Sequence, residues 1–226
     1  TATSGLIAII VLGQRRPFVI RERGPWLESL VERVPAGAAP DDLLDDAYEM
    51  WCANAPQPPS AQIRTVSANA SRCLSDIYAP DQSPSNGSSI AVVITSAEVQ
   101  ALFLGDAWSE DMVARLRTRK PATGPNLFDA IKISHHGSYR NTSPELLATV
   151  DAPCFLISTD GTRHGHPDFE VLAEIVDRHA PFERRVIFNY ETAGSARLRA
   201  HVSRSGTPFS VHIADSNWIP LGGRRQ

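Results

Sequence analysis

Two adjacent histidines, His135 and His136, stand at the end of a short apolar segment and directly before a glycine. A buried strand is predicted from the apolar positions of that segment, which are Phe128, Ala130, Ile131 and Ile133. Imidazoles at a strand end lie at a sheet edge, and the following glycine allows a close backbone approach. A single strand-end histidine is usually an ordinary polar residue, but a pair of them also suits a metal ion or a phosphate.

The same succession of apolar strand and polar end recurs twice more. Upstream, the apolar residues 101–104 lead through a glycine to Asp106. Downstream, His164 and His166 follow a third apolar strand at residues 155–157. Three successive strands therefore each end in a potential ligand or acid–base group. Packing requirements alone do not produce that repetition, so we predict that these groups form one site.

Predicted strands and helices alternate after residue 85, which is typical of a layered α/β domain. A hairpin of strands is predicted at residues 90–95 and 99–104, with a turn before it at residues 86–89. Periodicity and capping residues predict helices at 109–120, 143–150 and 167–179. Further strands are predicted at 74–79, 153–159, 185–190 and 209–213, while residues 193–202 give no decisive pattern.

The first 60 residues predict a mainly helical part, distinct from the strand-rich residues 61–216. Helices are predicted at 26–34 and 43–53, with a strand at 17–21 and a proline-rich linker at 56–60. Residues 217–226 have the composition of a disordered, basic tail. With 226 residues, of which 42% are hydrophobic, the chain can bury a sizeable core.

Composition excludes some classes of function. The formal net charge of −3 argues against a protein that coats nucleic acid with a generally basic surface, although a local basic groove is compatible with it. Cys52, Cys73 and Cys154 lack CxxC spacing and are typical of reduced, mostly buried thiols, so a cytoplasmic protein is expected. No apolar run approaches about 18 residues, and no membrane span is predicted.

The chain resembles the metallo-β-lactamase-fold hydrolases, and within them the subgroup typified by the soluble hydrolase domain of the competence protein ComEC. Four strings carry the resemblance: Asn86-Gly-Ser-Ser, Leu102-Phe-Leu-Gly-Asp106, Lys132-Ile-Ser-His-His-Gly-Ser138 and Gly165-His-Pro. They cover residues 70–190 well and the N-terminal part weakly. The resemblance implies that residues 1–226 are one domain portion, half or more of an αββα sandwich in which two mixed sheets face each other between outer helices.

The resemblance also implies a hydrolytic two-metal site that holds Zn²⁺, with Mn²⁺ as an alternative. In such a site Asp106 would bridge the metals and take part in catalysis. Side chains alternate along a strand, so we expect one of His135 and His136 to ligate metal and the other to contact phosphate or donate a proton. His166 would be a catalytic acid–base group. The residues expected on the substrate side are Asn86, Lys132, Ser138 and His164.

One departure from the family pattern affects the whole interpretation. The family's chief metal motif, His-x-His-x-Asp-His, is absent, and none of the seven histidines precedes His135. In the family that motif precedes a Gly-Gly-Leu helix start, which residues 3–10 resemble, so a buried helix is predicted at residues 6–12. We therefore expect the C-terminal portion of a longer or two-chain enzyme, whose missing ligands come from an N-terminal half or a partner chain. Degeneration of the motif to residues 1–4 is the alternative.

These features predict a metal-dependent phosphodiester hydrolase, most directly a DNA nuclease. Two alternatives stay open at this point. Without the missing ligands, the chain is a catalytically silent scaffold or regulatory module of the same fold. Otherwise the fold hydrolyses another ester, such as a lactone, a thioester or a phosphocholine ester.

Overall fold

A computed structural model describes residues 8–13, 72–96, 99–119, 124–162, 164–215 and 219–221. All of these residues fall within the same structural unit. The strand predicted at 17–21, the helices predicted at 26–34 and 43–53 and the linker at 56–60 lie outside the described residues, as does most of the tail at 217–226.

The described residues contain nine strands, most of them short and apolar. Their bounds are Ala8–Gly13 (β1), Ala91–Thr95 (β2), Gln100–Phe103 (β3), Asn126–Leu127 (β4), Ala130–Lys132 (β5), Val150–Asp151 (β6), Cys154–Ile157 (β7), Arg184–Phe188 (β8) and Phe209–Ile213 (β9). Seven of them form one sheet in the order β1-β2-β3-β5-β7-β8-β9, while β4 pairs with β6. The first three strands of this sheet are antiparallel, and the pairs from β3 to β9 are parallel. Parallel neighbours bring the ends of β3, β5 and β7 to one edge of the sheet.

Helices connect the parallel strands. The helices of the described residues are Leu74–Ile77 (α1), Pro84–Gly87 (α2), Ser109–Arg119 (α3), Pro144–Thr149 (α4), Phe169–Asp177 (α5) and Ala193–Arg199 (α6). Ser143 caps α4, because its Oγ accepts a hydrogen bond from the Leu146 N–H (2.9 Å), and Pro144 stands where a helix needs no N–H donor. This cap explains why α4 begins at Pro144.

The sheet buries a large core on the side of its helices. Leu102, Ile131 and Phe155 point from neighbouring strands into this core, where they join residues of α3 to α6. Side chains alternate along a strand, so Ala101 and Cys154 lie on the other face, in a smaller apolar cluster. The strands are therefore apolar on both faces, as parallel strands usually are, and the polar residues are left to the loops at their ends.

Most predicted elements after residue 85 are confirmed. The hairpin is present as β2 and β3, and the helices predicted at 109–120, 143–150 and 167–179 match α3, α4 and α5 closely. The strands predicted at 153–159, 185–190 and 209–213 are β7, β8 and β9. Residues 193–202, which gave no decisive pattern, contain α6, and the turn predicted at 86–89 overlaps the end of α2.

Two predicted elements are wrong. Residues 6–12 were expected to be helical, but residues 8–13 form β1, and the β-branched run Ile-Ile-Val at 9–11 suits a strand better than a helix. Residues 74–79 were expected to be a strand but contain α1. There the Asp76 carboxylate accepts hydrogen bonds from the N–H (3.1 Å) and the thiol (2.7 Å) of Cys73, which stabilises a first helical turn.

The described residues thus form a mixed α/β domain, which confirms the α/β class, while the αββα sandwich stays a prediction. Within the residues that the structure describes, no helix combines the length and the hydropathy that crossing a membrane requires.

Candidate functional site

Polar loops follow β3, β5 and β7 at the edge where the carboxyl ends of these parallel strands meet. Asp106 follows β3, while His135 and His136 follow β5. His164 and His166 lie in the loop after β7. In open α/β sheets, ligands bind beyond the carboxyl ends of the strands. This edge is therefore the candidate site.

The two adjacent histidines lie in a left-handed turn rather than in a strand. Residues Ser134–Gly137 form one turn of 3₁₀ helix, within which His135 has φ 42° and ψ 51° and His136 has φ 57° and ψ 18°. Left-handed conformations cost residues other than glycine about 1–2 kcal/mol each, and they persist only where surrounding contacts impose them. Strand alternation therefore does not separate the two rings, whose centroids lie 6.0 Å apart.

His136 is anchored through one ring nitrogen. Its Nδ1 donates a hydrogen bond to the backbone carbonyl of Ser158, in the loop after β7. A carbonyl oxygen only accepts, so Nδ1 carries the proton and Nε2 of the neutral ring presents a lone pair. Burial lowers the pKa of His136, and the positive charge of Lys132 lowers it as well. The hydrogen bond to Ser158 raises this pKa but does not outweigh the two other effects. The neutral ring is thus favoured near pH 7.

His135 is anchored in the same way by an amide. The Asn141 Nδ2 donates to the Asp81 Oδ2 (2.9 Å) and to the carbonyl of Asp106 (3.0 Å), which turns its Oδ1 towards His135. The His135 Nδ1 lies 2.8 Å from that Oδ1, closer than its 3.2 Å contact with the Asn86 Nδ2, so Nδ1 is assigned as the donor to Oδ1. As in His136, Nε2 is the ring nitrogen left without a hydrogen bond to a described residue. Within the described part of the chain, neither Nε2 atom forms a hydrogen bond.

A half-buried carboxylate, Asp81, supports the His135 side of the site. The Asp81 Oδ2 accepts hydrogen bonds from the Asn86 Nδ2 (2.7 Å) and the Asn141 Nδ2 (2.9 Å), and Oδ1 accepts from the Ser83 N–H (3.0 Å). Burial alone would raise the pKa of Asp81, but these three donors and the nearby His135 outweigh it and lower the pKa. Asp81 is thus a charged group that fixes both amides.

Asp106 is held by its backbone from two sides. Its N–H donates to the Ser89 Oγ (2.8 Å), and its carbonyl accepts from Asn141. The preceding Gly105 has φ 55°, and a Cβ there would lie 2.6 Å from the Ser89 Oγ, so only glycine fits. Burial lowers the pKa of Lys132, and the Asp106 carboxylate opposes that shift. Asp106 and Lys132 therefore act on one another, and both act on the pKa of His136.

The loop after β7 adds a third imidazole. The ring centroid of His166 lies 5.5 Å from that of His135 and 6.0 Å from that of the exposed His164. The His166 Nδ1 is 3.2 Å from the Asp168 Oδ2, although the pair lacks hydrogen-bond geometry. A Cβ at Gly137 would lie only 2.8 Å from the Pro167 Cβ, so the glycine permits the loop to pack against the turn. The Asp168 N–H also donates to the Gly137 carbonyl (3.0 Å).

The remaining predicted residues differ in their access to this site. Asn86 is half-buried and contacts Asp81, and its Nδ2 lies 3.2 Å from the His135 Nδ1. Ser138 is only 2% exposed, and its Oγ accepts a hydrogen bond from the Arg140 N–H (3.3 Å). The serine thus stabilises the end of the turn and does not face the other polar groups openly. Asp81 and Asn141, which organise the site, were not predicted.

The acidic and imidazole groups of the site do not complete a metal centre by themselves. Among the residues that the structure describes, no group of three or more histidine, cysteine, aspartate or glutamate side chains has an arrangement that could hold a metal ion. His201 pairs with Asp177 (2.8 Å), away from the sheet edge just described, and so has a structural role.

No family model matches the chain, and neither a curated protein nor a solved structure matches it. The likeness to metallo-β-lactamase-fold hydrolases stays a prediction drawn from motifs. The geometry itself gives a half-buried polar site in which imidazoles, a lysine and carboxylates lie together at one edge of an α/β sheet.

Proposed function

We propose that this chain takes part in phosphodiester hydrolysis. More narrowly, we propose that it is the C-terminal portion of a metal-dependent DNA nuclease of the metallo-β-lactamase fold. One observation carries the proposal. His135 and His136 both donate from Nδ1 to a fixed oxygen, so both Nε2 atoms present lone pairs at the same sheet edge.

Imidazoles held in this way are typical of metal ligands and of acid–base groups. A histidine that ligates a metal usually donates its other ring nitrogen to a carbonyl or a carboxylate, which fixes its tautomer and orientation. A general base likewise needs an unprotonated nitrogen at working pH. Left-handed backbone at two successive histidines adds a local cost, and such strain is concentrated at functional sites.

The described residues fit a metal ion only in part. The two Nε2 atoms suit Zn²⁺ or Mn²⁺, but zinc sites use three or four protein ligands, and the described residues form no such group. The proposal therefore requires further ligands from another segment or from a partner chain, and the second sheet of the αββα sandwich belongs to the same proposal. A completed metal site would supply activated water at neutral pH.

The chain's own residues would bind and orient the phosphodiester. Lys132 is a half-buried cation beside Asp106, and in such surroundings its charge attracts a phosphate oxygen more strongly than it would in open water. His164 and His166 lie across the site, where an imidazole can contact the substrate or move a proton. Asn86 would act by positioning His135 rather than by direct contact.

A second candidate function rests on the incomplete ligand set. If no further ligands join the described residues, the chain is a catalytically silent scaffold or regulatory module. The two candidates differ in metal content and in hydrolysis, both of which are measurable on the same protein.

The test uses the full chain, alone and with any natural upstream half or partner restored. Bound metal is measured, and hydrolysis of bis(p-nitrophenyl) phosphate and of single-stranded DNA is followed with Zn²⁺ or Mn²⁺. We expect His136→Ala and Asp106→Ala to lower metal affinity about 10–100-fold or more and to abolish hydrolysis. The matched control is His212→Ala, since His212 is exposed on β9 and its ring hydrogen-bonds to Ser210. Absence of hydrolysis from the restored protein in both metals would reject the nuclease and favour the scaffold.

A further inference from the structure

We propose that a cavity beside Asp106 binds one nucleoside of a single-stranded nucleic acid, next to the phosphodiester that the site would receive. This inference rests on the proposed function and names the class of substrate. The cavity has a volume of about 410 Å³. Ligand pockets in proteins range from about 300 to 1,000 Å³, so its size suits a single small unit such as a nucleoside.

The cavity shares a wall with the candidate site. Ala107 and Trp108, which line it, follow Asp106 directly in the chain. Ser89 lines it as well, and its Oγ accepts the hydrogen bond from the Asp106 N–H (2.8 Å). A ligand in this cavity would therefore lie within one nucleotide of a phosphate placed at Asp106.

An aromatic side chain is fixed in the wall of the cavity. The Trp108 Nε1 donates a hydrogen bond to the Ser83 carbonyl (3.1 Å), which restrains the indole. The ring also packs directly on Gly87, because a Cβ at that position would come within 2.8–3.1 Å of three ring atoms. A flat, restrained aromatic ring suits stacking with a nucleobase, and such stacking tolerates any base.

The rest of the lining combines buried apolar side chains with one acidic and one basic residue, Asp111 and Arg115, which stand four residues apart on α3. Met112 is 2% exposed and Ala107 is 3% exposed, so both belong to the buried apolar part of the cavity wall. Arg115 is exposed at the rim and forms no ion pair with a described residue. Arg117, two residues further along α3, does not line the cavity and is paired with Glu145 (2.8 Å). A guanidinium next to an aromatic wall, with no ion pair among the residues that the structure describes, matches a base followed by its phosphate.

The experiment separates base recognition from phosphate binding and from cleavage. Fluorescence anisotropy measures the binding of a labelled oligodeoxythymidylate of about 12 nucleotides and of an abasic strand of equal length, both with chelator present. We expect the wild-type chain to bind the base-bearing strand about 10-fold more tightly than the abasic one. Trp108→Ala should bring this ratio close to one, whereas Trp108→Phe should retain most of it.

The rim arginine provides a test that does not disturb the fold. Arg115→Gln, at an exposed position, should weaken the binding of both strands by a similar few-fold factor and reduce the salt dependence. Arg117→Gln is the matched control and should bind like the wild type. Equal binding of the two strands by the wild type, or an unchanged ratio in folded Trp108→Ala, would overturn the inference. Base-dependent binding without cleavage would instead reject only the proposed nuclease activity.

Discussion

Replacing His136 by glycine should give a more stable protein than replacing it by alanine, although glycine normally destabilises a folded chain. Both variants lose the imidazole and its hydrogen bond to Ser158, so those effects cancel in the comparison. What remains is the backbone at φ 57° and ψ 18°, a left-handed conformation that glycine adopts without steric cost. The same comparison applies to His135 at φ 42° and ψ 51°.

The size of the effect follows from two opposing terms. Left-handed backbone costs alanine about 1–2 kcal/mol, and glycine loses about 0.5–1 kcal/mol through its freer unfolded chain. We therefore expect the glycine variant to exceed the alanine variant by about 0.75 kcal/mol in free energy of unfolding at each position, within a range of about 0–1.5 kcal/mol. For a chain of this size, each kcal/mol of stability shifts Tm by about 2–4 °C.

Urea unfolding followed by circular dichroism measures the difference, with the slope of the transition compared between variants. Ala148, exposed in α4, provides the control, since Ala148→Gly should cost up to about 1 kcal/mol and thus reverse the sign. If glycine at 135 and 136 is no more stable than alanine, the left-handed turn is wrong. The assignment of both Nε2 lone pairs, which depends on that turn, would then lose its basis.

Two further predictions concern charges away from the candidate site. The Asp151 carboxylate accepts hydrogen bonds from the Nε (3.1 Å) and Nη2 (2.7 Å) of fully buried Arg184. Asp151→Ala should therefore lower the free energy of unfolding in urea by about 3–5 kcal/mol. Adding Arg184→Met to the Asp151→Ala chain should recover much of that loss. A single-variant cost below about 1 kcal/mol would show that the pair behaves like a surface ion pair. Burial alone would raise the pKa of Asp177, but hydrogen bonds from Arg204 and His201 outweigh burial and lower that pKa. The charged carboxylate therefore stabilises the folded chain above about pH 4, and this contribution is lost as the pH falls further. Asp177→Asn should be less stable at pH 7 and should lose less stability between about pH 4 and pH 2, and an unchanged acid dependence would contradict the assignment.

Local patterns in the sequence were enough to predict the strands that carry the site. Each of β3, β5 and β7 is a compact apolar run, and the polar residue after it stands only a few positions further along the chain. The helix expected at residues 6–12 was wrong because family likeness was given more weight than the β-branched run at 9–11. The strand expected at 74–79 was wrong because the capping carboxylate of Asp76 was not considered.

The organising groups of the site were not predictable in the same way. Asp81 and Asn141 are 60 residues apart in sequence, and neither follows an apolar strand directly, so only the folded chain brings them together. The orientation of the two histidine rings could not be predicted from the sequence either. Strand alternation was the available rule, and left-handed backbone at residues other than glycine is too uncommon to expect without coordinates.

The anchors of the imidazole pair come from separate connections of the fold, and this distribution bears on the choice between enzyme and scaffold. Ser158 follows β7, Asn141 precedes α4, and Asp81 lies between α1 and α2. A purely structural turn would gain stability by adopting ordinary backbone or glycine at 135 and 136. Here three connections instead hold two rings in an unfavourable conformation, with both Nε2 lone pairs set before any ligand binds. Preorganisation of this kind lowers the cost of binding and of reaction, so the strained turn supports the proposed ligand-binding site over the scaffold.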